Sequence, residues 1–315
     1  TLSEGIRFLT GELKREKIRL DPKSLWHSNG HRPTLDFQDV KGQFSAKRAL
    51  EVAAGGNHHL LLIGPPGVGK TLLAKALPTI LSEMSVEEAI ETTKIHSVSG
   101  LLTRKRRFQM TRPFRSPHHT ISDAGLAGGT SHPKPGEVSL AHQGVLFLDE
   151  LPEFKRQVLE VLRQPLEEGK ISISRAEFSV TYPARFMLIA AMNPCPCGYL
   201  SDPKRSCRCS PIQIEHYYRR ISGPLLDRID MHLEVPPLKF EEMTAAPRGE
   251  SSETIRKRVL KARAIQRKRY QKESIFCNAE LGPREITRFC PLPKEGEELL
   301  RVAVQELGCS MRALD

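Results

Sequence analysis

The stretch Gly64-Pro65-Pro66-Gly67-Val68-Gly69-Lys70-Thr71 has the residue types and the spacing to bind phosphate. Its glycines let the backbone wrap closely, so that N–H groups can point at phosphate oxygens. Lys70 is spaced to reach the β- and γ-phosphates, and the Thr71 hydroxyl to hold a magnesium ion. A glycine-rich turn without a ligand could carry the same letters, so the flanks matter. Leu60-Leu61-Leu62-Ile63 before the loop reads as a buried strand, and Leu72-Leu73-Ala74-Lys75-Ala76-Leu77 after it opens a helix. Strand, loop and helix in that order predict a nucleoside triphosphate site, with the helix N-terminus adding positive dipole.

Asp149 and Glu150 end Val145-Leu146-Phe147-Leu148, an apolar run that reads as another strand. Two acids there could merely cap the next helix. With a phosphate loop upstream, Asp149 becomes the candidate magnesium holder, through water, and Glu150 the group that orients or deprotonates the attacking water. Asn193 follows a further strand, Phe186 to Ala191. In a parallel sheet it would share the carboxyl edge with Asp149, where ligands bind. Its amide could order the lytic water or simply start the turn before Pro194. Arg228, within Gly223 to Asp230, could reach a neighbouring subunit's γ-phosphate and stabilise transferring charge. It could equally pair with Asp227 or Asp230.

Cys195-Pro196-Cys197 and Cys207-Arg208-Cys209 form two C-x-C pairs in a turn-rich segment. Four thiolates brought together suit tetrahedral zinc, although ligands so close in sequence strain the chelate, and free or redox-active thiols are the alternative. Cys277, Cys290 and Cys309 read as packing residues. Seven cysteines with four clustered point to a reducing cytosol rather than a disulfide framework. Forty-eight Lys and Arg against 37 Asp and Glu leave a formal charge of +11 over 315 residues. That surplus favours a polyanionic partner, or serves solubility alone. No run reaches the about 18 apolar residues that cross a bilayer. The chain opens on Thr and ends in a helix-like stretch, which reads as a fragment.

These residues need elements to position them. A short amphipathic helix is expected over Ser3 to Lys14, with Ile6, Leu9 and Leu13 on its apolar side, then a linker to Pro33. A helix from Ser45 to about Ala54, capped by Ser45, precedes the first strand. Short helices are expected over Ser85 to Ile90 and Lys155 to Glu167, the latter kinked by Pro165. Arg104-Lys105-Arg106-Arg107 is a basic cluster, and Arg112 to Gly144 a long loop. Lys170 to Arg175 and Phe178 to Tyr182 alternate as a β-hairpin. From about Pro237 the pattern is helical, with a basic helix over Thr254 to Lys272 that is a solvated surface or a DNA-contacting face. Breaks are expected at Pro283, Pro291 and Pro293. Strands interleaved with helices, followed by helices alone, predict an α/β core and a helical lid.

Gly64 to Thr71, Phe114-Arg115-Ser116-Pro117-His118-His119, Gly136 to His142, Gly144 to Glu150 and Gly223 to Asp230 occur in one order. This string resembles the magnesium-chelatase-like AAA+ ATPases of the ComM/YifB group, from about Asp36 to the end. The resemblance implies an α/β P-loop core of parallel strands flanked by helices, with a helix-2 insert over Ser116 to Gly144 and a pre-sensor hairpin over Lys170 to Tyr182. It implies residues 1–34 as a linker and the tail of a Lon-like domain, 35–236 as the ATPase core, and 237–315 as a truncated lid. Gln43 and the loop Gly64, Pro65, Pro66, Gly67, Val68, Gly69, Lys70 and Thr71 would bind nucleotide. Asp149 and Glu150 would form Walker B, Asn193 sensor 1, Arg228 the arginine finger, and Arg312 sensor 2. His118 and His119 read as loop or cap residues, or as metal or DNA contacts.

The implied activity is magnesium-dependent ATP hydrolysis by a hexameric ring, driving branch migration of DNA in transformation. Lys134, Lys170 and Arg175 are candidate phosphate contacts to DNA, or solvated loop charges. A rival is a protein-remodelling motor like the magnesium-chelatase ATPase subunit, indifferent to DNA. A second rival is a nucleotide-dependent scaffold without turnover, against which Lys70, Asp149 and Glu150 argue.

Overall fold

The computed structural model describes residues 2–13, 35–103, 108–129, 134–175, 178–200, 202, 205–238, 249–273 and 275–307. The chain divides into two compact units, Thr1–Arg32 and Pro33–Asp315. The described part of the first is helix α1 (Leu2–Leu9) and the turn after it, in which Gly11 takes a φ of 81°. The helix is shorter than its apolar spacing predicts, and Lys14 lies outside the described residues.

The second unit is built on a five-stranded parallel sheet in the order β2-β3-β6-β1-β7. The strands are β1 (Leu60–Ile63), β2 (Phe114–Arg115), β3 (Val145–Leu148), β6 (Met187–Met192) and β7 (Met231–Glu234). The three central strands are continuous apolar runs because both of their faces are covered. Side chains alternate across them, so Leu60, Leu62, Phe147 and Ile189 enter one core, with Leu50, Leu73 and Val259. Leu61, Leu146, Leu148 and Leu188 enter the other, with Leu126, Leu159, Leu162 and Tyr217. The chain therefore has an α/β P-loop fold. The antiparallel hairpin β4 (Lys170–Arg175) and β5 (Phe178–Pro183) stands apart from this sheet, pairing Lys170 with Pro183 and Arg175 with Phe178.

Several boundaries differ from the expectation. Helix α2 (Phe44–Gly56) starts at Phe44, with Gln43 as a left-handed N-cap in place of Ser45. Helix α3 (Lys70–Ala76) follows the phosphate loop. Helix α4 (Val86–Val98) runs two turns beyond Ile90, started by a capping box between Ser85 and Glu88. The single helix expected over Lys155 to Glu167 is two, α7 (Arg156–Glu160) and α8 (Arg163–Glu168). Pro165 has no N–H to return to the carbonyl of Val161, and the chain breaks there.

The long loop before β3 carries two short helices, α5 (Asp123–Ala127) and α6 (Glu137–Leu140). Its motif residues brace it. Arg115 Nε and Nη2 donate to Glu137 at 2.6 and 2.5 Å. His142 Nδ1 accepts from the Arg185 backbone at 3.1 Å, which leaves Nε2 to donate to Glu91 at 2.9 Å. A Cβ on Gly129 would meet Ile173 at 2.7 Å, so the neck of this loop packs on the hairpin.

The helical part holds α11 (Ser252–Arg269), α12 (Pro283–Phe289) and α13 (Lys294–Leu307). Pro283 opens α12 rather than breaking a helix, at a position whose N–H needs no partner. Ile255 and Val259 of α11 are buried in the core that holds α2. Its basic residues are partly committed to acids: Arg258 to Glu51 at 2.6 Å and Glu250 at 2.7 Å, Arg256 to Glu83 at 3.0 Å. That favours the structural reading of the basic helix over a DNA-contacting face. Arg104 to Arg107, Cys309 and Arg312 lie outside the described residues. No described helix is long and apolar enough to cross a membrane.

Candidate functional site

The sheet order sets β3, β6 and β1 side by side, so the residues after their carboxyl ends share one edge. The phosphate loop leaves β1 there. Gly67 and Gly69 take φ values of 82° and 95°, a region glycine enters without the steric cost of a Cβ. A Cβ on Gly64 would meet the Val235 carbonyl at 2.3 Å, so the loop leaves β1 directly against the chain beyond β7.

Two side-chain pairs tie the loop to its neighbours. Lys70 Nζ donates to Gly64 O at 2.6 Å, Pro65 O at 2.9 Å and Asn193 Oδ1 at 3.1 Å. Thr71 Oγ1 donates to Asp149 Oδ2 at 2.6 Å. Burial lowers the pKa of Lys70, against the opposing pull of Asp149 and Glu150. An ammonium removed from water beside weak carbonyl acceptors gains by exchanging them for phosphate oxygens. Gln43 Nε2 donates to Val68 O at 3.2 Å and Pro236 O at 2.9 Å, which joins the start of α2 to the loop.

Glu150 has a left-handed backbone, φ 54°, and its N–H donates to Asp149 Oδ1 at 3.0 Å. Its carboxylate is 57% exposed and lies 3.1 Å from His119 Nδ1. His119 follows β2, which pairs with β3, and this neighbour was not foreseen beyond the presence of a His pair. The signal lay in the strand before it, two residues long and without a readable pattern. We expect His119→Ala to lower kcat for ATP about tenfold with KM little changed, because an untethered carboxylate loses orientation. His119→Gln should recover part of it. An unchanged kcat in the alanine variant would remove His119 from the site.

The other candidates lie elsewhere. Arg228 precedes β7, which runs parallel to β1, so it sits at the sheet edge opposite the phosphate loop. Four strand residues separate the two edges, about 13 Å at the usual rise. Its guanidinium is ion-paired with Glu167 and donates to Pro224 O. Lys170 lies at the base of the hairpin, 3.5 Å from Glu168, and Arg175 at its tip. Lys134 is exposed at the neck of the long loop. Hence Lys170 and Arg175 occupy opposite ends of the hairpin.

The sulfurs of Cys195, Cys197, Cys207 and Cys209 all lie within 4.8 Å of one another. Cys195 is 3.3 Å from Cys197 and 3.7 Å from Cys207, and Cys197 is 3.6 Å from Cys207. These are far beyond a disulfide bond, and close to the about 3.8 Å between sulfurs that zinc–sulfur bonds of about 2.3 Å give in a tetrahedron. Backbone bonds from Arg208 and then Tyr199 hold the Cys197 thiol down to about 6, whereas burial pushes Cys209 up to about 12, so without a cation one thiol of the group ionises ahead of its neighbours. The group could hold a metal ion. Cys277 is buried as a packing residue would be, whereas Cys290 is exposed.

The family described as magnesium chelatase, subunit ChlI, matches residues 36–243, and its C-terminal family matches 249–315. The competence protein ComM of Haemophilus influenzae is 47% identical over 99% of this chain and 60% of its own length. The uncharacterized protein YifB of Salmonella typhimurium is 49% identical over 89% of this chain and 54% of its own. The magnesium-chelatase 38 kDa subunit of Rhodobacter capsulatus is 25% identical over 52% of this chain. The chain thus spans between 54% and 60% of the length of the first two relatives.

Proposed function

The chain belongs to the magnesium chelatase ChlI family of AAA+ ATPases, in its ComM and YifB branch, and from that premise we propose that it is the ATP-driven motor of a hexameric DNA translocase. The observation that carries the ATPase reading is the paired bridging of Lys70 to Asn193 and Thr71 to Asp149 at one sheet edge. Lys70 binds the β- and γ-phosphates, and Thr71 and Asp149 hold magnesium, which neutralises phosphate charge when bound. Glu150 takes the proton of the attacking water, held in place by His119. Asn193 orients that water, and Gln43 supports the loop from behind. Arg228 acts on the neighbouring subunit's nucleotide, a reading its place at the opposite sheet edge supports. Arg312 completes the site from the lid, residues 237–315. The cysteine group holds a structural zinc ion, and the whole works in the cytoplasm.

The name of the competence protein, together with the surplus of positive charge, supports DNA as the track and branch migration during transformation as the setting. The hairpin tip at Arg175 is the favoured DNA contact, with Lys134 and Lys170 contributing phosphate contacts. Steady-state ATP hydrolysis with and without single-stranded DNA tests this. DNA should raise the rate several-fold, and the gain should fade between about 50 and about 200 mM salt as counterions compete for phosphate. A substantial rate indifferent to DNA at every salt concentration would instead support protein remodelling of the magnesium-chelatase kind, the reading that the Rhodobacter relative favours.

A further inference from the structure

The cysteine group stands next to the nucleotide site rather than apart from it. Cys195 follows Asn193 by two residues, with Pro194 between them and Pro196 after. Each proline ring fixes φ, so little backbone freedom separates the Cys195 sulfur from the Asn193 amide that meets Lys70. The Gly198 N–H closes the turn onto Cys195 O at 3.0 Å. Gly198 has φ 84°, and a Cβ there would meet Pro66 Cδ at 2.7 Å and Asn193 Cγ at 3.9 Å. The turn that carries Cys195 and Cys197 is thus pressed against the phosphate loop.

The other two ligands arrive from the far side. Cys207 and Cys209 lie just ahead of helix α9 (Pro211–Tyr218), whose capping box begins at Ser210. At the other end of that helix, Tyr218 Oη donates to Pro194 O at 3.3 Å. Beyond it the chain runs through α10 (Gly223–Leu226) to Arg228. Cys195 is buried, and the Cys209 N–H donates to the Cys207 sulfur at 3.4 Å. The segment between the pairs has no helix or strand among its described residues, of which Arg205 donates to Tyr199 Oη at 2.8 Å.

We propose that the metal ion held by Cys195, Cys197, Cys207 and Cys209 is a clamp on the nucleotide site, fixing Asn193 and Pro66 in place so that its occupancy sets nucleotide affinity. This rests on the reading of the cysteines as a metal site. The ion would join the end of β6 to the start of α9, so losing it removes one anchor of the Asn193 turn and leaves the hydrogen bonds of Asn193 with Lys70 and of Pro194 with Tyr218. The fold should survive, because neither hydrophobic core includes these four cysteines.

The test uses Cys209→Ser, remote in sequence from Asn193, and Gly198→Ala, which keeps all four thiolates. Zinc content, far-ultraviolet circular dichroism and affinity for a fluorescent ATP analogue are measured for each. The wild-type chain should carry one zinc per chain. Cys209→Ser should lose it, keep its helix content and bind nucleotide about tenfold more weakly, the scale on which supporting shells act at metal sites. Gly198→Ala should keep zinc and yet bind nucleotide more weakly, through Pro66. Should Cys209→Ser not fold, wild-type protein stripped with a chelator and refilled with Zn²⁺ gives the same comparison. A wild-type chain without metal overturns the zinc reading itself. Metal lost with nucleotide affinity unchanged leaves the zinc site standing and overturns the clamp, as does a Gly198→Ala chain that binds nucleotide as tightly as wild type.

Discussion

Arg228→Ala should lower ATP turnover by about 10³- to 10⁵-fold, the range in which an arginine supplied to a transferring phosphoryl group acts. The size of the loss follows from where charge builds. Negative charge accumulates on the γ-phosphoryl oxygens in the transition state, and a guanidinium placed there stabilises it more than it stabilises bound ATP. Nucleotide affinity should therefore change little. Arg228 cannot serve its own site, since it precedes β7 at the edge opposite the loop after β1. In the isolated chain Arg228 is ion-paired with Glu167, so the proposed role requires a ring in which phosphate replaces that carboxylate. An Arg228→Ala chain that hydrolyses ATP at the wild-type rate as a ring would rule the residue out.

Glu150→Gln should cost turnover by about 10²- to 10⁴-fold while nucleotide binding persists, because an amide keeps the shape but cannot accept the water's proton. The two variants also test each other. Mixed in one ring, an Arg228→Ala subunit supplies an intact Glu150 and a Glu150→Gln subunit an intact Arg228. One class of interface is then complete, and activity should rise above that of either variant alone. If the mixture stays as inactive as its components, the two residues do not meet across a subunit boundary. Nucleotide release from Glu150→Gln is the useful control, measured by displacement of a fluorescent analogue. Loss of binding there would mean a disturbed loop rather than a missing base.

What the sequence determined by itself was local or carried by long apolar runs. The glycine spacing from Gly64 to Gly69, with a strand before and a helix after, dictates a backbone cradle because everything it needs is contiguous. The same holds for β1, β3 and β6, whose uninterrupted apolar residues leave burial on both faces as the only favourable state. The α/β class followed from those runs and the helices between them. Two C-x-C pairs marked the cysteine group, as a metal site or as free thiols, before any distance was known.

Tertiary structure alone decided which distant residues meet. Strands β2 and β7 went unread because edge strands are short or half-exposed, and Met231-His232-Leu233-Glu234 has no apolar run to announce it. Without β2 beside β3, nothing in the chain joins His119 to Glu150. Lys70 and Asn193 are 123 residues apart, and only the strand order brings β6 next to β1. Arg228 found Glu167, 61 residues away in the chain, and Arg258 found Glu51 across 207 residues. Spacing reports which side of an element is buried. Which partner waits there depends on how the elements close on one another, through contacts whose entropic cost no local pattern encodes.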